Sequence, residues 1–245
     1  YSKNSLWSRG VGLFSYLTLS ALKAFRQPRP DVVIAESDPP LLGLLGALLR
    51  RWHRCKFVNY LQDLHPEVGL ALGRLRPGPL ATVLKVTTQI GLKAADRVVV
   101  LGQDMRRRVV VRGVRDERIA VIPNWSDTAA IRPDPPSQKF RAAWGVGGEF
   151  VVMYSGNLGL SQNLGQVVAA AELMAGEPVT FVLAGEGASK ASLQKRVAER
   201  GLTNVRFLPY APKERLGESL GAADLHLVTL QAGLAGYIVP SKLYG

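Results

Sequence analysis

A short β-branched run, a turn built from Gly, Pro or Asp, and a stretch of helical periodicity recur in that order along the 245 residues. Few folds tolerate this alternation. Strands that alternate with helices need right-handed crossovers, which build a mainly parallel sheet covered on both faces. In the first half, residues 31–35 (DVVIA), 56–61 (KFVNYL), 97–101 (RVVVL) and 118–122 (RIAVI) read as strands. Leu41, Leu44, Leu45, Leu48 and Leu49 repeat at helical spacing after the first of them, and a second helix is expected over 79–95. Residues 132–148, with three prolines, three glycines and no apolar period, read as a linker. The pattern then restarts, with strands at 150–154, 179–184, 205–208 and 224–230. Helices are expected around Leu164–Met174, around Leu193 and Val197, and over 212–222. The fold class expected is α/β, with two Rossmann-like doubly wound domains, 1–131 and 149–245.

A hydrophobic content of 47% with 20% charged residues belongs to a globular chain. The single cysteine, Cys55, forms no internal disulfide, which fits a reducing cytoplasm. The apolar stretch from Gly10 to Leu22 is too short to span a bilayer. The net charge of +12 is uneven: residues 1–131 carry 20 Lys/Arg against 10 Asp/Glu, whereas residues 132–245 carry 11 against 9. A basic first half suits an anionic partner, whether nucleic acid, an anionic membrane surface or a diphosphate-bearing substrate. A merely solvated arginine-rich face has the same signature. Both ends look cut short, since no strand opens the first domain and 241–245 resembles the start of a helix. The expectation is a fragment that lacks part of each domain, is inactive alone and dissolves poorly.

In an open parallel sheet, ligands gather where strands end and helices begin. Gly156-Asn157-Leu158-Gly159 occupies such a turn, where backbone N–H groups and a helix dipole attract an anion. A tight turn also needs glycine for steric reasons alone. Gly185-Glu186-Gly187 holds the same position after the next strand. Leu208, Pro209 and Tyr210 end a third strand and place an aromatic ring where a nucleobase can lie. Ser241 suits a helix N-cap, and Lys242 would then face the positive end of the dipole unless an anion joins it. In the first half, Asp63, His65 and Glu67 follow a strand within five positions and can position or deprotonate an acceptor hydroxyl. Glu36 and Asp38 follow another strand. Metal ligation is not expected, with three candidates and no cysteine among them. His53 and His226 read as structural.

Taken in order, FVVMYSGNLG (150–159), FVLAGEG (181–187), VRFLPY (205–210), AADLHLVTL (222–230) and VPSKLYG (239–245) resemble the donor domain of retaining family 4 glycosyltransferases. NYLQDLHPEVGLALG (59–73), ADRVVVLGQDMRRRV (95–109) and VIPNWSD (121–127) resemble the first domain of the same enzymes, in the WbuB/WcaI-like branch that builds O-antigen or colanic-acid-like exopolysaccharide. The resemblance implies a GT-B fold with its active site in an interdomain cleft. It implies a nucleotide diphosphate sugar, a UDP-sugar, as substrate, with no metal and no cofactor. By position, Gly156, Gly159 and Lys242 would lie near the diphosphate, Glu186 and 208–210 near the nucleoside, and Asp63 near the transferred sugar or acceptor. It further implies a lipid-linked or oligosaccharide acceptor at the inner face of the plasma membrane, where the protein would be peripheral. Two departures stand out. Many family members place Arg and Lys where Asn157 and Asn163 stand here, and many carry two glutamates where Tyr237 and Gly245 stand.

Glycosyl transfer is therefore the first functional reading. A sugar-nucleotide epimerase on the same plan is the alternative within enzymes. A basic nucleic-acid-binding module is the alternative outside them, and it leaves the ordered turns of the second half unexplained.

Overall fold

A computed structural model describes residues 6–126 and 138–244. Two compact units divide them: one reaches to Pro123 and takes in Leu234–Val239, and the other runs from Asn124 to Gly233 and resumes at Pro240. In the first unit the order is α1 (Leu6–Phe25), β1 (Val32–Glu36), α2 (Leu42–His53), β2 (Lys56–Tyr60), α3 (Glu67–Ala71), α4 (Pro79–Ala94), β3 (Arg97–Val100), α5 (Gln103–Val111) and β4 (Ile119–Val121). The sheet has the order β1-β2-β3-β4, and every pairing is parallel. Phe57, Val98, Val100, Leu92 and Met105 form its core. Gly46 of α2 lies against the Phe57 ring, and Gly91 of α4 lies against the Gly43 carbonyl group, so bare backbone lets both helices close on their neighbours.

The second unit contains α6 (Gln138–Ala143), β5 (Phe150–Ser155), α7 (Gly165–Leu173), β6 (Val179–Ala184), α8 (Lys190–Glu199), β7 (Val205–Leu208), α9 (Leu216–Gly221) and β8 (Leu225–His226). Its sheet has the order β7-β6-β5-β8, again parallel throughout. Side chains alternate across the sheet. Val152, Tyr154, Phe181 and Leu183 join the cluster of Leu164, Val168 and Leu193 on one face. Val151, Met153, Val182 and Ala184 join Trp144, Val146 and Ala222 on the other. Burial on both faces is why these strands read as unbroken apolar runs.

Three expectations changed. Within the expected linker, 132–137 lies outside the described residues, but 138–143 is a helix and Trp144 and Val146 are buried beneath the sheet. Arg141 fixes that segment, donating to the Asp224 carboxylate at 2.7 Å and to the Ala222 carbonyl at 3.0 Å. The strand expected over 224–230 is only Leu225–His226. Among the described residues it lies at the end of the sheet, and by Gln231, whose N–H donates to the Ser161 carbonyl at 2.7 Å, the chain has turned to follow the loop after β5. The helix expected over 212–222 is a 3-10 turn, Lys213–Arg215, followed by the six-residue α9.

Among the described residues, no helix is long and apolar enough to cross a membrane.

Candidate active site

In the second unit, the turns after β5, β6 and β7 lie side by side. The Gly156 N–H donates to the Ala184 carbonyl at 2.8 Å, the Leu158 N–H to the Glu186 carbonyl at 2.8 Å, and the Gly185 N–H to the Leu208 carbonyl at 2.8 Å. Gly156 and Gly185 have φ of +136° and +145°, a region closed to most side chains. A Cβ on Gly185 would run into the Gly156 carbonyl, and one on Gly187 into the Leu158 carbonyl. These glycines therefore serve backbone packing between the two turns, in addition to any ligand.

Lys242 lies beside this pair of turns, in a single 3-10 turn that starts at Ser241. Its ammonium sits 4.1 Å from the centre of the Tyr154 ring and donates to the Tyr154 hydroxyl. That hydroxyl donates in turn to the Asn157 carbonyl at 2.9 Å. A Cβ on Gly156 would collide with the Lys242 side chain, so the lysine lies directly over the turn. Among the described residues, no carboxylate pairs with it. Burial pushes the Lys242 ammonium below its ordinary range, and burial, with Tyr210 nearby, pushes the Tyr154 phenol well above its own. A half-buried cation without a counter-ion, over a glycine turn, is a place where an anion lowers the free energy.

The remaining donor candidates gather around this point with different commitments. Asn157 is exposed, and its side chain lies against Gly159 and Gly187. Glu186 pairs with Lys190 at 2.5 Å. The Tyr210 hydroxyl donates to the Glu186 carbonyl at 3.5 Å, leaving the ring half exposed at the mouth of the turns. Asn163 closes the 3-10 turn Leu160–Gln162 in a left-handed conformation. Gly245 lies outside the described residues.

The first unit brings together two of its three candidates. Asp63 and His65 line one small pocket with Ser37, Asn59 and Thr88. Ser37 Oγ accepts the Gln62 and Asp63 N–H groups, each at 2.9 Å, which ties the loop after β1 to the loop after β2. Burial pushes the Asp63 carboxyl above the usual carboxylate range; His65 opposes the shift and Asp38 adds to it. His65 Nε2 and Asn59 Oδ1 are buried with no hydrogen-bond partner, so two polar atoms in this pocket await one. Glu67 is committed elsewhere, to an ion pair with Arg112, and Arg112 also donates to the His65 carbonyl at 3.3 Å. Tyr237 lies under the Arg108 guanidinium, 3.6 Å from its ring centre, and its carbonyl accepts the Leu64 N–H at 2.9 Å. Both histidines read as structural meet carbonyls: His53 that of Ala24 at 3.3 Å and His226 that of Leu220 at 3.0 Å. Among the described residues, no three His, Cys, Asp or Glu side chains gather as a metal centre requires.

Sequence reasoning passed over Tyr154, Ser37 and Gln162. Tyr154 ends an apolar strand and reads as core. Gln162 Oε1 is buried without a partner beside Gly159. No signal short of the three-dimensional turn reveals it.

Residues 5–125 match the Glycosyl transferase 4-like domain family, and residues 136–237 match Glycosyl transferases group 1. WcaI of Escherichia coli (strain K12), named as a colanic acid biosynthesis glycosyl transferase, is 31% identical over 95% of this chain and 59% of its own length. WbjE of Pseudomonas aeruginosa, named as a glycosyltransferase, is 32% identical over 99% of this chain and 62% of its own. The chain thus spans about three fifths of the length of the curated relatives it matches. Anabaena Alr3699/HepE, solved with UDP and with UDP-glucose, superposes with a TM-score of 0.68 over 86% of this chain and 55% of that one, at 21% identity. At that identity the likeness speaks for the fold. With both halves matched, the chain belongs to the group 1, or family 4, glycosyltransferases, and its two parallel sheets are those of the GT-B fold.

Proposed function

We propose that this protein, in its complete form, transfers a sugar from a nucleotide diphosphate donor to a saccharide acceptor in the synthesis of a bacterial surface polysaccharide. The observation that carries the reading is the Lys242 ammonium, half buried over the Gly156 turn with no carboxylate partner among the described residues. The donor diphosphate supplies the missing counter-charge there, and the Tyr210 ring offers a face to the base. The donor is a UDP-sugar, by analogy with the UDP and UDP-glucose complexes of the Anabaena protein. The acceptor is lipid-linked, in keeping with the colanic acid pathway for which the Escherichia coli relative is named.

Transfer proceeds with retention and without a protein nucleophile. Negative charge grows on the departing diphosphate as the glycosidic bond breaks, and Lys242, fixed by Tyr154, opposes it without reorganising. Asp63 and His65 orient the acceptor hydroxyl. The half-buried Asp63, its pKa raised, is the better placed of the two to accept a hydrogen bond from it. Glu67 holds that loop through Arg112 and takes no direct part. Calorimetry of the complete protein with UDP, GDP and their glucose conjugates tests the reading. Binding of the uridine ligands is expected, and silence with all four ends it.

A further inference from the structure

Asn59 stands in β2, between β1 and β3, and a parallel strand flanked by two others is ordinarily apolar. Among the described residues of the first unit it is the one buried polar side chain, at 2% exposure. An unmade hydrogen bond at such a place is costly. The amide nitrogen of Asn59 lies toward Gly43 of α2, where an added Cβ would stand 3.1 Å from it. The amide oxygen, Oδ1, has no hydrogen-bond partner, and neither has His65 Nε2. Both residues line one cavity of about 20 Å³, the room that a single water molecule needs.

Ser37 completes the set. A hydroxyl has two lone pairs and one proton. Ser37 Oγ accepts the N–H groups of Gln62 and Asp63, each at 2.9 Å, so both lone pairs are engaged and only its proton is left to give. Ser37 lines the same cavity. A water there accepts from Ser37 and donates to Asn59 Oδ1 and His65 Nε2, and about three hydrogen bonds are usual for a buried water.

The count also selects a histidine tautomer. With the ring proton on Nε2, one water proton would lack an acceptor among these three groups, and orphaned donors are rarer than orphaned lone pairs. With the ring proton on Nδ1, every proton in the cavity has a partner. The backbone beside the ring is fixed already. The Tyr237 carbonyl accepts the Leu64 N–H at 2.9 Å, and Arg112 donates to the His65 carbonyl at 3.3 Å. The place of the ring proton is what remains to be set, and the hydrogen bond at Nε2 sets it.

We infer that Asn59 is a positioning residue which, through one water that Ser37 also binds, holds the neutral His65 ring with its proton on Nδ1. This rests on the acceptor-side role proposed for Asp63 and His65, and deepens it. His65 then gives a hydrogen bond where Asp63 takes one, and a saccharide hydroxyl, which does both, fits such a pair.

Nitrogen-15 NMR of the complete protein reads the tautomer, with the His65 signals assigned by their loss in His65→Gln. The neutral ring should carry its proton on Nδ1, the form less populated for histidine free in water. Asn59→Leu, close in size and without an acceptor, should return the ring toward the Nε2 form. It should also lower transfer from UDP-glucose to a polyprenyl-diphosphate-linked glucose by about 10- to 100-fold, as a misplaced group does. Asn59→Asp keeps an oxygen in the place of Oδ1 and should recover most of both. An Nε2 proton in the wild type overturns the inference, and that spectrum stands even where a melt shows Asn59→Leu unfolded. So does a tautomer unmoved in a folded Asn59→Leu protein, or a moved tautomer with unaltered transfer. Absent UDP binding, or an Asp63→Asn protein that transfers as well as the wild type, ends instead the reading beneath, and the spectra still decide the tautomer.

Discussion

The Lys242 ammonium rests 4.1 Å from the centre of the Tyr154 ring and donates to the hydroxyl of that same residue, which passes the interaction on to the Asn157 carbonyl at 2.9 Å. One tyrosine thereby both positions a cation and braces the turn beneath it. Lys190 at the same turns is paired with Glu186, so under the proposed function Lys242 is the cation left to meet a diphosphate there.

Lys242→Ala should therefore weaken UDP binding by about 10- to 100-fold, the range for losing a charge-assisted contact of 1.5–3 kcal/mol. Titration calorimetry on the complete protein reads this directly, and unchanged affinity would remove the lysine from the site.

The same lysine predicts a pH dependence. Burial lowers its pKa in the folded protein from the ordinary 10.5. Between the folded and unfolded values the unfolded chain holds more protons, so the contribution of Lys242 to stability rises as pH climbs through that window and is constant below it. A bound diphosphate favours the protonated form. UDP affinity should accordingly fall as pH enters the window from below, with proton uptake on binding. Calorimetry in two buffers of different ionisation enthalpy detects that uptake.

Gly185 offers a structural check on the paired turns. Gly185→Ala puts a methyl group against the Gly156 carbonyl at a φ of +145° and should cost about 2 kcal/mol in urea unfolding. Gly148, where an added methyl group would meet nothing within 4 Å, should tolerate alanine within about 0.5 kcal/mol.

Asp96 holds the basic end of the first sheet. It accepts the Phe57 N–H at 2.9 Å together with the Arg50 fork, and that hydrogen bonding to Arg50, with help from Phe57 and Lys56, holds its carboxyl at about 2. The folded value lies below the unfolded one. The stability it confers is present above the ordinary 3.8 and is lost as pH falls through about 2. Asp96→Asn should lower stability at neutral pH by about 1–3 kcal/mol and flatten the acid limb of a pH–stability curve measured by urea unfolding.

How much of this was legible beforehand follows from the range of each interaction. β6 falls where the sequence placed it, because a strand buried along almost its whole length is apolar almost throughout and so announces its limits; β7, at the edge of the described sheet and carrying Arg206, falls there too, bounded by Asn204 and Pro209. β8 did not, because its two residues, Leu225 and His226, are both exposed, and no run of burial marks where the strand gives way to the loop that follows. The glycine turns were legible as turns. Their use of each other, Gly185 against Gly156 and Gly187 against Leu158, was not, because it depends on contacts some thirty residues apart. Lys242 could be named from its place after Pro240, yet its partner is 88 residues away. Glu67 shows the opposite case: its spacing from Asp63 suggested chemistry, and Arg112, far along the chain, occupies it.

Asp63 separates function from stability most cleanly. Burial raises its pKa, with Asp38 adding to the shift, so the folded protein holds this proton more tightly than the unfolded chain. Its ionised form consequently costs stability, a penalty that grows as pH rises from the ordinary 3.8 through the raised folded value. Asn at this position cannot ionise and fills the same space. Asp63→Asn should raise the melting temperature at neutral pH by a few degrees, on the order of 1 kcal/mol, while lowering sugar transfer by about 100-fold or more and leaving UDP affinity unaltered. Glu67→Gln, which strands Arg112, should do the reverse, lowering stability and sparing the chemistry in whatever protein remains folded. A melt and a transfer assay on the two variants decide the matter: an Asp63→Asn protein that is less stable yet fully active would make Asp63 a structural group and remove it from the acceptor site.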